Sequence, residues 1–219
     1  MKSNRSHFLI TAGGTREYID PVRFITNASS GKMGFALANA ALKSGHKVTL
    51  ITTAKNPQFK IKNSKLKIEE VVSADEMFEA VKKHFKKCDC LIMAAAVSDY
   101  TPIKKSKIKI KKSNTDLTIK LKPTPDILKW AGKNKKRNQI VSGFALEDKN
   151  LRKNAEKKLK DKNLDMIIAN TPLAIGSENT EVQIKITDGK WIKMQSAGKT
   201  AIAGQIIHLM ENLCSQSRK

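Results

Sequence analysis

Long apolar runs, aromatic residues, cysteine and acidic side chains are all scarce in this chain, and each scarcity removes a class of protein. No uninterrupted apolar stretch approaches the roughly 20 residues that cross a bilayer, so no membrane-spanning helix is expected. Lys2 and Arg5 lead almost at once into a strand-like stretch without an apolar segment of secretory length, which makes a cytoplasmic location the expectation. Aromatics are 5% of the residues, too few for the stacking platforms that hold single-stranded nucleic acid. Cys88, Cys90 and Cys214 are odd in number and lack zinc-ligand spacing. No disulfide framework engages all three, and a reducing compartment is the simpler reading. Cys88 and Cys90 flank Asp89 at the start of a strand and read as packing residues. His7, His46, His84 and His208 stand apart, so no nucleophile–base pair can be argued from them.

The 20 acidic residues face 42 Lys and Arg, a formal net charge of +22. That excess favours anionic partners such as nucleotides, phosphorylated metabolites or nucleic acid. The lysines are spread along the whole chain, with clusters at Lys104–Lys112 and Lys133–Arg137, as on a solvated surface. No specific nucleic-acid site is expected.

What the chain does have is a regular alternation of strand and helix signals over a length that suits one domain, residues 1–219, with no repeat and no linker. Phe8 to Thr11 reads as a strand closed by Gly13-Gly14, and Gly31 to Lys43 as a helix with apolar residues at helical spacing. Val48–Thr52 and Ile68–Val72 read as strands, and Ser73 with Glu76 as a capping box opening a helix that buries Met77, Val81 and Phe85. Leu91–Val97 is apolar enough for the centre of a parallel sheet. Ser98–Ser113 is a polar, lysine-rich loop, and Leu117–Leu121 alternates like a half-exposed strand. Thr124-Pro125-Asp126 reads as a helix start with Thr124 as the cap. Gln139–Phe144 and Leu164–Ala169 are further strands around a basic helix, Leu151–Lys162. A hairpin over Glu181–Met194 turns at Asp188-Gly189 before a last helix, Thr200–Leu213. The expected fold is α/β: a doubly wound, Rossmann-like mixed sheet flanked by helices, with a flap loop and a C-terminal β-hairpin.

Ligands of such a sheet bind beyond the carboxyl ends of its strands, so candidate chemistry is sought there. Gly13 and Gly14 let backbone amides approach an anion, but the surroundings are not the dinucleotide pattern GxGxxG. Ser29, Ser30 and Gly31 precede a helix and suit either an anion site or helix capping; the block is not a P-loop, because Met33 follows Gly31-Lys32. Asn27 suits a turn. Ala94, Ala95 and Ala96 at a strand end leave room for a ring, and Asp99 beyond them fits a ribose, a cation or a simple cap. Lys109, in the run Lys109-Ile110-Lys111-Lys112, suits a flap closing on phosphate or a solvated charge run. Phe144 ends a strand, and Lys158 and Lys162 share a helix face. A nicotinamide oxidoreductase is the competing reading. It lacks both the glycine fingerprint and an acidic residue after the second strand, where Thr52-Thr53-Ala54 stands.

Gly13-Gly14-Thr15-Arg16-Glu17, Asp20 to Ile25 and Asn27 to Gly34 are followed in order by Ala95 to Tyr100, Lys109 to Lys112, Pro125-Asp126-Ile127, Gly143-Phe144-Ala145 and Asn163-Leu164-Asp165. Together these resemble the phosphopantothenoylcysteine synthetases, or phosphopantothenate–cysteine ligases, of coenzyme A biosynthesis. The resemblance covers about residues 8 to 212, and Ser29-Ser30-Gly31-Lys32-Met33-Gly34 is its most specific part. It implies activation of 4'-phosphopantothenate by CTP to an acyl-cytidylate, then attack by cysteine. It implies catalytic roles for Asn27 and Lys109 and substrate contacts from Arg23, Asn27 and Ala96. Nucleotide contacts are implied for Gly13, Gly14, Ser29, Ser30, Gly31, Met93, Ala94, Ala95, Asp99, Lys109, Pro123, Thr124, Pro125, Phe144, Lys158 and Lys162. Magnesium, with Asp99 as candidate ligand, a homodimer and a separate phosphopantothenoylcysteine decarboxylase as partner are implied as well. The fused decarboxylase domain of many bacterial members has no counterpart in these residues, and Ala12 stands where the family often has glycine.

Overall fold

The computed structural model describes residues 5–54, 63–174 and 179–217. The chain opens with β1 (His7–Ala12), the short strands β2 (Arg16–Tyr18) and β3 (Phe24–Thr26), helix α1 (Lys32–Lys43), β4 (Lys47–Thr52) and β5 (Leu66–Glu70). Next come α2 (Ala74–Phe85), β6 (Cys90–Met93), β7 (Tyr100–Pro102), β8 (Leu121–Pro123), α3 (Ile127–Asn134) and β9 (Ile140–Leu146). The chain ends in α4 (Leu151–Asp161), β10 (Met166–Asn170), the hairpin β11 (Asn179–Ile186) and β12 (Trp191–Gly198), and α5 (Lys199–Ser217). Eight strands form one sheet in the order β12-β11-β10-β9-β6-β1-β4-β5. The six from β5 to β10 run parallel, and β11 and β12 are antiparallel at one edge. The order reverses between β1 and β6, which makes their carboxyl ends the topological switch point.

Alternation along each central strand sends side chains into two separate cores. Phe8, Ile10, Val48, Leu50, Ile92 and Ile168 pack with Leu37 and Ala41 of α1 and with Ile202, Ile206 and Met210 of α5. Leu9, Ile51, Leu91, Val141 and Ile167 point the other way, onto Met77, Val81 and Phe85 of α2, Leu128 of α3 and Leu159 of α4. The capping box at α2 is present: Ser73 Oγ accepts from Glu76 N at 3.2 Å, while Glu76 Oε2 accepts from Val72 N at 2.9 Å. The buried Glu17 carboxylate accepts from Ala74 N at 2.8 Å, a second anion at the same helix N-terminus.

The structure corrects four sequence readings. β6 stops at Met93, not Val97, because the next amides leave the ladder: Ala95 N donates to Thr11 Oγ1 and Ala96 N to Gly13 O. The strand expected at Leu117–Leu121 lies at Leu121–Pro123, where it pairs antiparallel with Tyr100–Pro102 and carves a small sheet out of the loop region. Thr124 does not cap α3; its Oγ1 donates to Ser98 O at 2.6 Å, and Asp126 caps by accepting from Lys129 N. The fourth correction is an element near the start of the chain that was not anticipated, the β2–β3 hairpin.

Burial pushes the Cys88 thiol up to about 12, so it is inert as a nucleophile. The Sγ atoms of Cys90 and Cys214 meet between β6 and α5, with Cα atoms 7.4 Å apart.

Helix α1 lies directly on β1. A Cβ at Gly34 would stand 2.5 Å from Ala12 Cβ and 2.9 Å from Thr11 O. Gly34→Ala is therefore expected to destabilise by about 1–3 kcal/mol through overpacking. Gly204→Ala, on the exposed side of α5 with open space around it, is expected to stabilise by up to about 1 kcal/mol. Urea midpoints of the two variants check both signs, and a parent-like midpoint for Gly34→Ala would show that α1 can lift off β1.

Candidate active site

A cleft of about 640 Å³ opens at the switch point, over the carboxyl ends of β6 and β9. One wall is the loop from Asn27 to Gly31 that enters α1. Gly31 is the N-cap of α1 with φ 76°, a left-handed conformation that favours glycine. Having no side chain, it leaves the first-turn amides uncapped from this position, and Ser29 and Ser30 line the cleft beside them. Asn27 holds the wall in place: its Nδ2 donates to Ala96 O and Val97 O, both at 3.2 Å.

The floor is the end of β6. Met93, Ala94, Ala95 and Ala96 all line the cleft, and their small side chains keep it open. The N–H groups of Ala94, Ala95 and Ala96 are bonded internally, to Ile92 O, Thr11 Oγ1 and Gly13 O. Asp99 lies just beyond, fixed through its carbonyl, which accepts from Thr124 N at 2.9 Å. Thr124 and Pro125 continue the lining.

The opposite wall is cationic. Lys158 Nζ donates to Phe144 O at 2.8 Å, so the helix α4 lysine is anchored on the strand end of β9. Burial lowers the Lys158 pKa, and the neighbouring Lys162 lowers it further, against the pull of Glu147, Asp126 and Asp99. A half-buried ammonium facing a cleft is a ready partner for an anion. Lys162 bonds the Asp126 carboxylate at 2.8 Å. Burial opposes ionisation of Asp126, but Lys162 and the Lys129 amide more than offset it and hold that carboxyl below its ordinary value.

Of the residues singled out from sequence, Asn27, Ser29, Ser30, Gly31, Met93, Ala94, Ala95, Ala96, Asp99, Thr124, Pro125, Phe144, Lys158 and Lys162 share this cleft. Five lie off its lining. Gly13 and Gly14 sit beneath the wall instead: a Cβ on Gly31 would be 3.1 Å from Gly13 N, and one on Gly14 would be 2.7 Å from Asn27 O. Their lack of side chains is what lets the loop close down. Pro123 ends the small antiparallel pair with Tyr100. Arg23 bonds Asp20 and Ile110 O, each at 3.1 Å. Lys109 is exposed on the flap segment. Lys32, Asn170 and Lys199 line the cleft without having been anticipated. Asn170 ends β10 and was reachable by the same strand-end rule that pointed to Phe144; Lys199 follows a hairpin and carried no such signal. None of the four histidines lines the cleft; His46 and His84 are bonded to Glu211 and Glu69 elsewhere, each at 2.6 Å.

Comparison with known proteins agrees with this architecture. Residues 3–213 match the family model described as the DNA/pantothenate metabolism flavoprotein C-terminal domain. The chain is 42% identical over 205 residues to the coenzyme A biosynthesis bifunctional protein CoaBC of Borreliella burgdorferi, covering 92% of this chain and 51% of that protein. It is also 42% identical over 208 residues to a cysteine/cysteine sulfinic acid decarboxylase of an unknown prokaryote, covering 93% of this chain and 57% of that one. The chain thus spans about half the length of the curated relatives it matches. Among solved structures, the C-terminal domain of a CoaBC protein superposes with a TM-score of 0.82 at 37% identity, over 99% of this chain and 100% of that one. A Cab2 variant in complex with phosphopantothenate-cysteine superposes with a TM-score of 0.80 at 20% identity, over 100% and 90%, a likeness of fold. With the family model covering nearly the whole length, the chain belongs to the DNA/pantothenate metabolism flavoprotein C-terminal domain family.

Proposed function

We propose that the cleft is the active site of a phosphopantothenate–cysteine ligase in coenzyme A biosynthesis. The observation that carries this is the pairing of a helix N-terminus capped by glycine and its serine loop with a half-buried lysine wall across a strand end of alanines, all at the switch point. Such a site accepts two anionic partners and a flat ring. The relatives named for coenzyme A biosynthesis supply the substrate class. In the reaction, a carboxylate oxygen of 4'-phosphopantothenate attacks the α-phosphorus of CTP and pyrophosphate leaves. The amine of cysteine then attacks the acyl carbon, the acyl–oxygen bond breaks with its electrons going to CMP, and the amine loses a proton. A phosphopantothenoylcysteine decarboxylase would consume the product, and the reaction would take place in the cytoplasm.

Lys158 and Lys162 would bind phosphate or ribose oxygens, and Asn27 would orient the acyl group beside the Ala96 backbone that it already bonds. Asp99 fits a magnesium ion, which is commonly held by one carboxylate together with ligand phosphates. Asp126 is already engaged by Lys162 and the α3 amide, and no cluster of three His, Cys, Asp or Glu stands together among the described residues. The ion would neutralise charge on the triphosphate. Lys109 would reach the reacting phosphate from the flap. Val22, Phe24, Tyr100, Ile103, Ile108, Leu117 and Leu121 expose apolar surface around the two small hairpins, which supports a homodimer packed through this region.

Because the amides of Ala94 to Ala96 are already bonded, the strand end offers a base edge carbonyl acceptors only. That favours a base with an exocyclic amino group. In an assay with phosphopantothenate, cysteine and each triphosphate, reading pyrophosphate, CTP is expected to exceed UTP by about tenfold or more, the value of one hydrogen bond left unmade. Equal rates with CTP and UTP would remove the strand end from base recognition. Lys109→Gln is expected to lower turnover at least about tenfold more than Lys104→Gln or Lys107→Gln, since a transition-state donor is worth ~100–1000-fold and a screened surface charge little. Similar modest losses in all three variants would leave Lys109 part of a diffuse field.

A further inference from the structure

The flap from Ile103 to Ser113 is exposed almost throughout and carries six lysines, yet its backbone is held at two points. Ser106 N donates to Ile19 O at 2.8 Å. Ile110 is gripped from both polar sides: its N–H donates to Asp20 Oδ2 at 3.1 Å, and its carbonyl accepts from Arg23 Nη2 at 3.1 Å. The Asp20 side chain is 0% exposed, although it lies in a surface turn. Its Oδ1 accepts from Val22 N and Arg23 N, both at 2.8 Å, and its Oδ2 also accepts from Arg23 Nη1 at 3.1 Å. Burial opposes ionisation of Asp20, but the three backbone amides and the Arg23 guanidinium more than offset it and hold the carboxyl below its ordinary value.

We propose that Asp20 is a positioning residue for the flap: with Arg23 it fixes Ile110, and so sets where the flanking Lys109 and Lys111 stand. A lysine-rich segment repels itself and spreads into solvent. One buried carboxylate that reads the Ile110 N–H, with a guanidinium on the carbonyl of the same residue, gives it a fixed register. This accounts for Arg23 without a direct substrate contact, and it explains why a fully buried acid occupies a turn whose neighbours are exposed. The structural role stands by itself; its catalytic consequence rests on the ligase reading above.

Asp20→Asn keeps the size of the side chain but turns an NH2 group toward the Ile110 N–H and the guanidinium, a donor against donors. Limited trypsin digestion of the intact protein, read by mass spectrometry, is expected to cleave after Lys104 to Lys112 about tenfold faster or more, from loss of charge-assisted hydrogen bonds. In the pyrophosphate assay, kcat is expected to fall by a similar factor while KM for CTP stays within about twofold, because the nucleotide cleft is untouched. Asp116→Asn, an exposed acid beyond the flap, is expected to change neither. Ile110→Pro removes the tethering N–H without touching Asp20 and is expected to reproduce both effects, with digestion read after Lys104, Lys105, Lys107, Lys111 and Lys112 because trypsin does not cleave before proline; this keeps the test decisive if Asp20→Asn does not fold. Parent-like digestion of either folded variant would overturn the tether. Faster digestion with unchanged kcat would overturn the positioning role. A parent protein inactive with every triphosphate would sink the ligase reading, and the digestion arm would still decide the tether.

Discussion

Direct contact between α1 and the backbone of β1 sets the geometry on which everything else rests. Gly34 has no Cβ to hold the helix away from Ala12, and Gly31 brings the preceding loop down onto Gly13. Helix and loop therefore start at the very end of β1, next to the end of β6 where the strand order reverses. The first turn of α1 lines the gap so formed. A side chain at either position would push the helix or its preceding loop off β1, and with it the wall that Asn27 ties to Ala96 and Val97. The cleft is thus a consequence of how closely one helix packs on one strand.

The second organising feature is the use made of a small number of acids in a strongly basic chain. Several of them are structural anchors. Glu17 sits at the N-terminus of α2, Asp126 caps α3 and holds Lys162, and Asp20 grips the flap at Ile110. Asp165 accepts from Val141 N and from Lys135, tying β9 to the turn before β10. Asp99, by contrast, lines the cleft. The net charge of +22 leaves a general positive field around the molecule, screened over roughly 8 Å at physiological salt.

The alternating sheet and its helices were legible because they follow from periodicity: the two faces of β1, the capping box at Ser73 and the Asp188-Gly189 turn all lie where local rules put them. Most of the cleft was also legible, because ligand sites follow strand ends and the serine loop stands just before a helix. The misreadings have a common cause. Thr124 was read as a cap, but its hydroxyl is taken by Ser98 O, 26 residues away in sequence. Arg23 also bonds Ile110 O, 87 residues on, a contact that the sequence reading did not include. Gly13 and Gly14 lie under the next loop, a packing contact that spacing did not suggest either. In each case a residue of the right type was claimed by a long-range partner that spacing along the chain does not reveal.

In the proposed reaction this cleft activates a carboxylate by nucleotidyl transfer before cysteine takes part. The direct test is to mix the protein with phosphopantothenate and CTP labelled at the α-phosphorus, with cysteine withheld, and to quench in acid. Labelled phosphopantothenoyl-cytidylate is expected to accumulate to the level of one per active site, with pyrophosphate released in equal amount, and added cysteine is expected to discharge it to CMP. Pyrophosphate release only when cysteine is present, with no labelled acyl-nucleotide at any time, would contradict this order of steps.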